Sequence, residues 1–329
     1  MSVRRPRILL LAKKSALRVH LEGRDVGRHA RVEALLRAKD PAVSRMEGAH
    51  AQHEETLAEV DRALAELRCD VTRVVAAMLD DFRVVEPEGH DLVVTVGGDG
   101  TLLAASHGIS LTPVLAINSA PGFSVGFFCG ARMGSVKQSL QAAITGALPS
   151  VKLARMNVFK DGDLLARRVL NEVLVCSSSP AATSRYILHH LRGGTDIVEE
   201  QKSSGLWIGP AAGSTAAQRS AGGRVLPLKS RRLQFVVREP YTPAGQKLRL
   251  RRGLVQPGDS LRLRSRMGDG RVFVDGPHEI YEFTTGEELA FSISDEPLTL
   301  LGTLRRAGWK PVEQRRHERR SAPRLVTSS

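Results

Sequence analysis

Aromatic side chains are scarce in this chain of 329 residues: nine Phe, three Tyr and two Trp, or 4%. Hydrophobic residues still make up 42%, so the core must be packed mainly from Val, Leu, Ile and Ala. That balance suits a Val/Leu-rich buried sheet and disfavours an aromatic-rich binding module. Cysteine is also rare. Cys69, Cys129 and Cys176 are far apart, with no Cys-x-x-Cys pair and no even framework, so neither a zinc site nor a disulfide scaffold is implied. Three lone thiols fit a reducing, cytoplasmic setting. His189, His190 and His278 lack metal-ligand spacing to Cys or acidic partners and read as structural or surface residues. No run approaches the roughly 18 uninterrupted apolar residues of a membrane-spanning helix. Ile8 to Leu11, behind Arg4, Arg5 and Arg7, is too short for a signal-peptide core and sits where a first strand belongs.

Positive charge is in excess. The formal net charge is +13 and the isoelectric point about 10.3. Such a balance favours anionic partners: nucleic acid, an anionic membrane or phosphorylated small molecules. The excess is uneven, because residues 305–324 hold eight Lys or Arg against Glu313 and Glu318. This segment reads as a solvated, disordered tail, with a nucleic-acid or anionic-surface tether as the alternative. The remainder carries no recognition-helix or aromatic-stacking signature, which disfavours nucleic acid as the main partner.

The length suggests two domains. Arg7 to Ala12 reads as a buried strand. Residues 32–67 show helical periodicity interrupted near Pro41, with Leu57, Val60, Leu64 and Leu67 on one face. Val71 to Val75, Asp91 to Val96 and Pro113 to Ile117 read as further strands. Short apolar strands alternating with helices predict a parallel, Rossmann-like sheet in an α/β domain over 1–149. From Ala147 to Ser150 onward the character changes. Strand-like runs dominate at 152–159, 165–176, 186–191, 206–208, 233–238, 260–265, 270–274 and 288–294, separated by turns such as Pro257-Gly258-Asp259. A mostly β, sandwich-like second domain is expected over 150–296, a return segment to the first domain over 297–304, and the basic tail over 305–329.

The most informative segment is Val96-Gly97-Gly98-Asp99-Gly100-Thr101-Leu102-Leu103. A hydrophobic strand runs into a glycine-rich turn, and a helix is expected to start near Thr101. Backbone amides in such a turn, together with a helix N-terminus, make a nest for phosphate. Open parallel sheets bind ligands outside the carboxyl ends of their strands, where this turn would lie. A carboxylate among such amides repels phosphate unless it has another task. Asp99 could accept a proton from an attacking hydroxyl, or bind the metal that accompanies ATP. The bland alternative is a helix N-cap. No Gly-Lys-Ser/Thr is present here, so a Walker-type ATPase is disfavoured.

Two further segments stand out. Val169-Leu170-Asn171-Glu172-Val173-Leu174-Val175 puts two polar residues inside an apolar run. They are either satisfied by backbone at a strand end or bulge, or they hydrogen-bond the hydroxyls of a sugar. The stretch Ser203 to Gly223, containing Gly213-Ser214-Thr215-Ala216, is rich in small residues that let a flat ring approach the backbone. Ser214 has no Ser-His-Asp pattern around it that a sequence can reveal.

Gly97-Gly98-Asp99-Gly100-Thr101 resembles the signature of a kinase superfamily that includes NAD kinases, diacylglycerol-type lipid kinases and 6-phosphofructokinases. With Asn171-Glu172 and Gly213-Ser214-Thr215-Ala216 in the same order, residues 91–301 resemble the NAD kinase family. Two departures, Ala217 in place of a Tyr and Ser204 in place of an Asp, resemble its plant-type NADH kinase branch. Ser119 after Asn118 agrees with that branch, as does Val237-Arg238-Glu239-Pro240. The resemblance implies ATP with Mg²⁺ near Gly97, Gly98, Gly100 and Thr101, and NAD or NADH in an interdomain cleft. It implies that Asp99 is the catalytic base acting on the 2′-hydroxyl, and that Asn171 and Glu172 grip the adenosine ribose. Gly100, Lys202, Ser204, Thr215, Ala216, Ala217 and Ser220 would contact the dinucleotide, with Asn118 and Asp275 as further cleft residues. A homodimer or tetramer is implied as well. The alternatives are a lipid kinase with the same glycine-rich turn, and a non-catalytic dinucleotide sensor or nucleic-acid binder.

Overall fold

A computed structural model describes residues 4–22, 26–242, 244, 245 and 247–302. The basic tail at 305–329 lies outside the described residues. The chain opens with β1 (Arg7–Lys13), α1 (Ala16–Glu22), α2 (Val26–Arg37), α3 (Pro41–Glu66) and β2 (Asp70–Ala76). It continues through β3 (Leu92–Gly97), α4 (Asp99–Ser106), β4 (Val114–Asn118), β5 (Ala131–Arg132), α5 (Val136–Ile144) and β6 (Ser150–Leu153). Then come β7 (Met156–Lys160), β8 (Asp163–Val169), β9 (Val173–Ser177), β10 (Ser184–Arg192), β11 (Thr195–Ser203) and β12 (Gly205–Gly209). A single helical turn, α6 (Ala217–Ser220), precedes β13 (Leu233–Arg238), β14 (Arg252–Val255), β15 (Ser260–Ser265), β16 (Gly270–Val274), β17 (Glu279–Phe283), β18 (Glu288–Ile293) and β19 (Leu298–Leu301).

The first sheet has the order β2-β1-β3-β4-β19-β6, with β5 alongside β4. Its pairs are parallel except for β19 with β6. The sequence of β1 explains why it is central. Ile8, Leu10 and Ala12 face α3 and α5, while Leu9 and Leu11 face α4 and parts of the second half of the chain. A strand covered on both faces must be apolar throughout, and each fully buried Leu contributes about 1.5–3 kcal/mol. Pro41 sits at the first position of α3, where its missing N–H costs nothing. The interruption expected near Pro41 is therefore a boundary between two helices.

The second half is a sandwich of two six-stranded sheets, β11-β10-β15-β18-β7-β8 and β14-β13-β12-β9-β16-β17, in which the pairs are antiparallel. Their inner faces form one cluster that includes Val158, Val175, Leu188, Leu206, Phe235, Leu263 and Val272. Two expected strands are each divided. The run at 152–159 is β6 in the first sheet and β7 in the sandwich. The run at 165–176 is β8 in one sandwich sheet and β9 in the other, so Leu170-Asn171-Glu172 is the crossing between sheets. Strand β19 joins the first sheet, pairing in parallel with β4.

The joint between the two halves is pinned by Arg155, which is fully buried between β6 and β7. Its guanidinium donates to the carbonyls of Ser106 and Ile109 at 2.7 Å each, Ser110 at 3.2 Å and Glu296 at 2.6 Å. Burial pushes its pKa down to about 10, which leaves it charged at neutral pH and suited to the carbonyl-rich C-terminal end of α4. Arg168 adds a second pin, donating to the His107 carbonyl at 3.1 Å while pairing with Glu296 at 2.6 Å. Arg155→Met keeps the bulk but leaves those carbonyls without donors. It is expected to destabilise the fold by about 3 kcal/mol in a denaturant melt, and a loss below about 1 kcal/mol would contradict the pinning role.

Candidate active site

Strand β3 is buried along its whole length and ends at Gly97. A Cβ on Gly97 would overlap the Thr101 hydroxyl, so only glycine permits the turn to close this tightly. Helix α4 begins at Asp99, two residues earlier than expected, with extended Gly98 as its N-cap and no side-chain cap. Asp99 is thus not the cap. Its Oδ2 accepts from the Phe127 N–H at 2.8 Å and its Oδ1 from the Phe128 N–H at 2.8 Å, which fixes the carboxylate's orientation. The loop that supplies those amides is shaped by Asn118 at the end of β4. Asn118 Oδ1 accepts from Ala120 N–H and Ser124 Oγ, and its Nδ2 donates to the Ser124 carbonyl. Gly98 is half-buried and Gly100 exposed. Thr101 Oγ1 is buried with no hydrogen-bond partner.

Asn171 and Glu172 sit at the crossing between sandwich sheets, and Asp275 holds them there. The side chain of Asp275 is fully buried. Its Oδ1 accepts from the amides of Asn171 at 2.7 Å and Glu172 at 3.0 Å, and its Oδ2 from Leu170 N–H at 2.8 Å. Asp275 is therefore an anchor rather than an open cleft residue. His107, just past the end of α4, lies 3.0 Å from its Oδ2. Arg83 completes the group, contacting His107 Nε2 at 3.0 Å, the Val274 carbonyl at 3.1 Å and Glu279.

The small-residue loop packs directly on this crossing. A Cβ at Gly213 would overlap the Asn171 carbonyl and approach Glu172 Oε2, which makes glycine obligatory. Ser214 is buried, donating to the Ala211 carbonyl at 2.6 Å and accepting from Leu226 N–H at 2.9 Å, so it braces the loop. Thr215, Ala216 and Ala217 are half-buried and Ser220 exposed. Lys202 is exposed on β11, and Ser204 donates its N–H to the Arg238 carbonyl. Among the described residues neither hydrogen-bonds Asp99, Asn171 or Glu172.

One apolar cluster gathers Leu102 beside Asp99, Phe128 whose amide holds Asp99, Leu170 beside Asn171, and Ala212 beside Gly213. Helix α4 connects the two polar centres. Its eight residues span about 12 Å, from Asp99 at one end to His107, which touches Asp275, just past the other. Glu172 is only 8% exposed. Burial first, and the Asp275 charge second, push its pKa up to about 8, although Asn171 Nδ2 donates to its Oε1 at 3.1 Å. Its Oε2 is buried with no partner. One unpartnered oxygen of a protonated carboxyl and one unpartnered hydroxyl suit a ligand that brings hydroxyls of its own. No three His, Cys, Asp or Glu side chains converge as a metal-ligand group among the described residues.

A nucleotide-using phosphotransferase is the class to which comparison with known proteins assigns this fold. Residues 22–147 match the family model described as the ATP-NAD kinase N-terminal domain. The chain is 36% identical over 226 residues to a probable NADH kinase of Oryza sativa, covering 63% of this chain and 69% of that one. It is 35% identical over 227 residues to an NADH kinase of Arabidopsis thaliana, covering 63% and 71%. The crystal structure of yeast NADH kinase complexed with NADH has the same fold, with a TM-score of 0.63 at 15% identity over 98% of this chain and 91% of that one. This chain belongs to the NAD kinase family.

Sequence reasoning did not find His107, Arg83, Arg155 or Arg168. None belongs to a motif, and each has partners between 24 and 196 positions away, although Arg83 also pairs locally with Asp80. The Glu172 environment gives a test. The folded chain keeps that proton up to about pH 8, whereas an unfolded carboxyl releases it near 4.5. Between those values the unfolded state binds fewer protons, so stability falls as pH rises. Glu172→Gln is expected to flatten this part of the stability–pH curve in urea melts, and an unchanged slope would rule out the assignment.

Proposed function

We propose that this chain transfers the γ-phosphoryl group of ATP to the 2′-hydroxyl of the adenosine ribose of NAD or NADH, giving NADP or NADPH. The carrying observation is that Asp99, held by two backbone amides, and Glu172, whose Oε2 is buried without a partner, lie beside residues of one apolar cluster in a member of this family.

The dinucleotide lies against the crossing between sandwich sheets. Asn171 and Glu172 receive the ribose hydroxyls, and the loop of Thr215, Ala216 and Ala217 receives the adenine. Glu172, protonated in the free chain at neutral pH, can donate to one ribose oxygen and accept from a neighbouring hydroxyl. Asp99 takes the 2′-hydroxyl proton as the O2′–Pγ bond forms and the bond from Pγ to the bridging oxygen breaks, releasing ADP. The two amides hold the carboxylate still, so positioning supplies much of the acceleration. Gly97, Gly98, Gly100 and Thr101 border the phosphates. Magnesium arrives with those phosphates. Lys202 and Ser204 are peripheral dinucleotide contacts in this reading. Residues 1–149 and 150–296 work as the two sides of the cleft. The active form is a homo-oligomer in the cytoplasm. No helix among the described residues is long and apolar enough to cross a membrane.

A lipid kinase needs the glycine-rich turn but not a small-residue loop packed on an Asn-Glu pair, and it is not adopted. Asp99→Asn is expected to keep the fold and lose about 10²–10⁴-fold in turnover, measured as NADP(H) formed from ATP with NAD and NADH in parallel. Full activity in that variant would reject the assigned base.

A further inference from the structure

The segment between β2 and β3 runs alongside α4 and touches both of its ends. It makes a single helical turn, Leu79–Phe82, followed by Arg83. Phe82 is fully buried in the apolar cluster that also takes Leu79, Val85, Leu102 and Leu170. At the start of α4, a Cβ on Gly100 would lie 3.3 Å from Leu79 Cδ1. Just past its end, a Cβ on Gly108 would overlap the Val85 carbonyl. Glycine at these two positions lets the segment lie close against the helix. The chain near Arg83 is thereby fixed relative to Asp99, the first residue of α4.

Arg83 carries that order across to the sandwich. Its side chain is 12% exposed. Nη2 donates to the carbonyls of Val274 at 3.1 Å and Asp275 at 3.4 Å. Nη1 donates to Glu279, which opens β17, and lies 3.0 Å from His107 Nε2. Nε donates to Asp80 Oδ1 at 3.2 Å. Asp80 reaches the same region again, its Oδ2 3.5 Å from His278 Nδ1. The turn between β16 and β17 is therefore gripped from one side by Asp80 and Arg83. On its other side it holds the crossing between sandwich sheets, through the Asp275 carboxylate and through Asp275 N–H, which donates to the Glu172 carbonyl at 3.0 Å. A planar guanidinium can serve two carbonyls, two carboxylates and an imidazole together, which the single nitrogen of a lysine cannot. Apart from Asp80, these partners belong to the end of α4 or to the Asp275 turn, the two elements that place Asp99 and the Asn171-Glu172 crossing.

We propose that Arg83 is a positioning residue for the dinucleotide: it holds the Val274-Asp275 backbone, and with it the Asn171-Glu172 crossing, in register with Asp99. The proposal rests on the kinase reading above, and its test separates the two. NADH and ATP are each titrated by calorimetry into the full chain, into Arg83→Lys and into Arg83→Met. KM and kcat are measured for both substrates, and urea melts check folding. Arg83→Lys keeps a cation between Asp80 and Glu279 but cannot reach the carbonyls as well, so it decides the matter should Arg83→Met fold poorly. Each variant is expected to weaken NADH binding and raise the KM for NAD(H) about tenfold, with the affinity and KM for ATP unchanged. Turnover is expected to fall about 10²-fold, because the ribose no longer meets Asp99 squarely. A merely structural role would lower stability and the amount of active protein without moving one affinity apart from the other. Unchanged NADH affinity in Arg83→Lys, or an equal loss for NADH and ATP, in a chain that makes NADP(H) overturns the proposal and leaves the kinase reading intact. A selective loss of NADH affinity in a chain that makes no NADP(H) keeps the role of Arg83 in dinucleotide binding and removes the kinase reading.

Discussion

The buried carboxylate of Asp275 is the constraint on which the site depends. It accepts three consecutive amides, from Leu170, Asn171 and Glu172, at 2.7 to 3.0 Å, and it faces His107. A buried charge is tolerated only with such partners, and hydrogen bonds to a charged acceptor are the strong ones. Asp275 takes a positive φ of 47°, a conformation Asp adopts more readily than most side chains. In return, the chain's crossing between sandwich sheets is fixed, and the small-residue loop can close over it. The same negative charge helps keep the neighbouring Glu172 protonated.

Helix α4 carries that order to the other polar centre. Its first residue is Asp99, and its C-terminal end is held by Arg155, by Arg168 and by the contact between His107 and Asp275. Movement of the sandwich against the parallel sheet would have to disturb these bonds together. Asp99 and the Asn171-Glu172 crossing are consequently linked through one helix, which suits a reaction whose acceleration comes largely from positioning.

Much of the framework was legible in the sequence because period and punctuation are local. The buried strand at Ile8 to Leu11, the strand that ends at Gly97 and the change of character near Ser150 were all visible in this way. The Asp99, Asn171-Glu172 and Gly213 segments stood out as polar or small residues against apolar surroundings, and the structure brings them around one cluster. The crossing at Leu170 was hidden because the residues from Leu165 to Cys176 read as one strand whichever sheet each end joins. The roles of Asp275, His107 and Arg155 were hidden for a different reason. A charge buried by distant partners leaves no periodic trace, and Asp275 meets His107 across 168 positions. Lys202 and Ser204, taken from the resemblance alone, make no hydrogen bond to the central residues.

The central claim is that a single sugar hydroxyl meets Asp99 while its neighbours meet Asn171 and Glu172. A crystal structure of the chain with NADH bound tests this most directly. The account predicts the adenosine 2′-oxygen within hydrogen-bonding distance of an Asp99 carboxylate oxygen, with Glu172 Oε2 bonded to the same ribose. A ribose bound away from the crossing at Asn171, or Asp99 still holding both amides with no hydroxyl in reach, would contradict it.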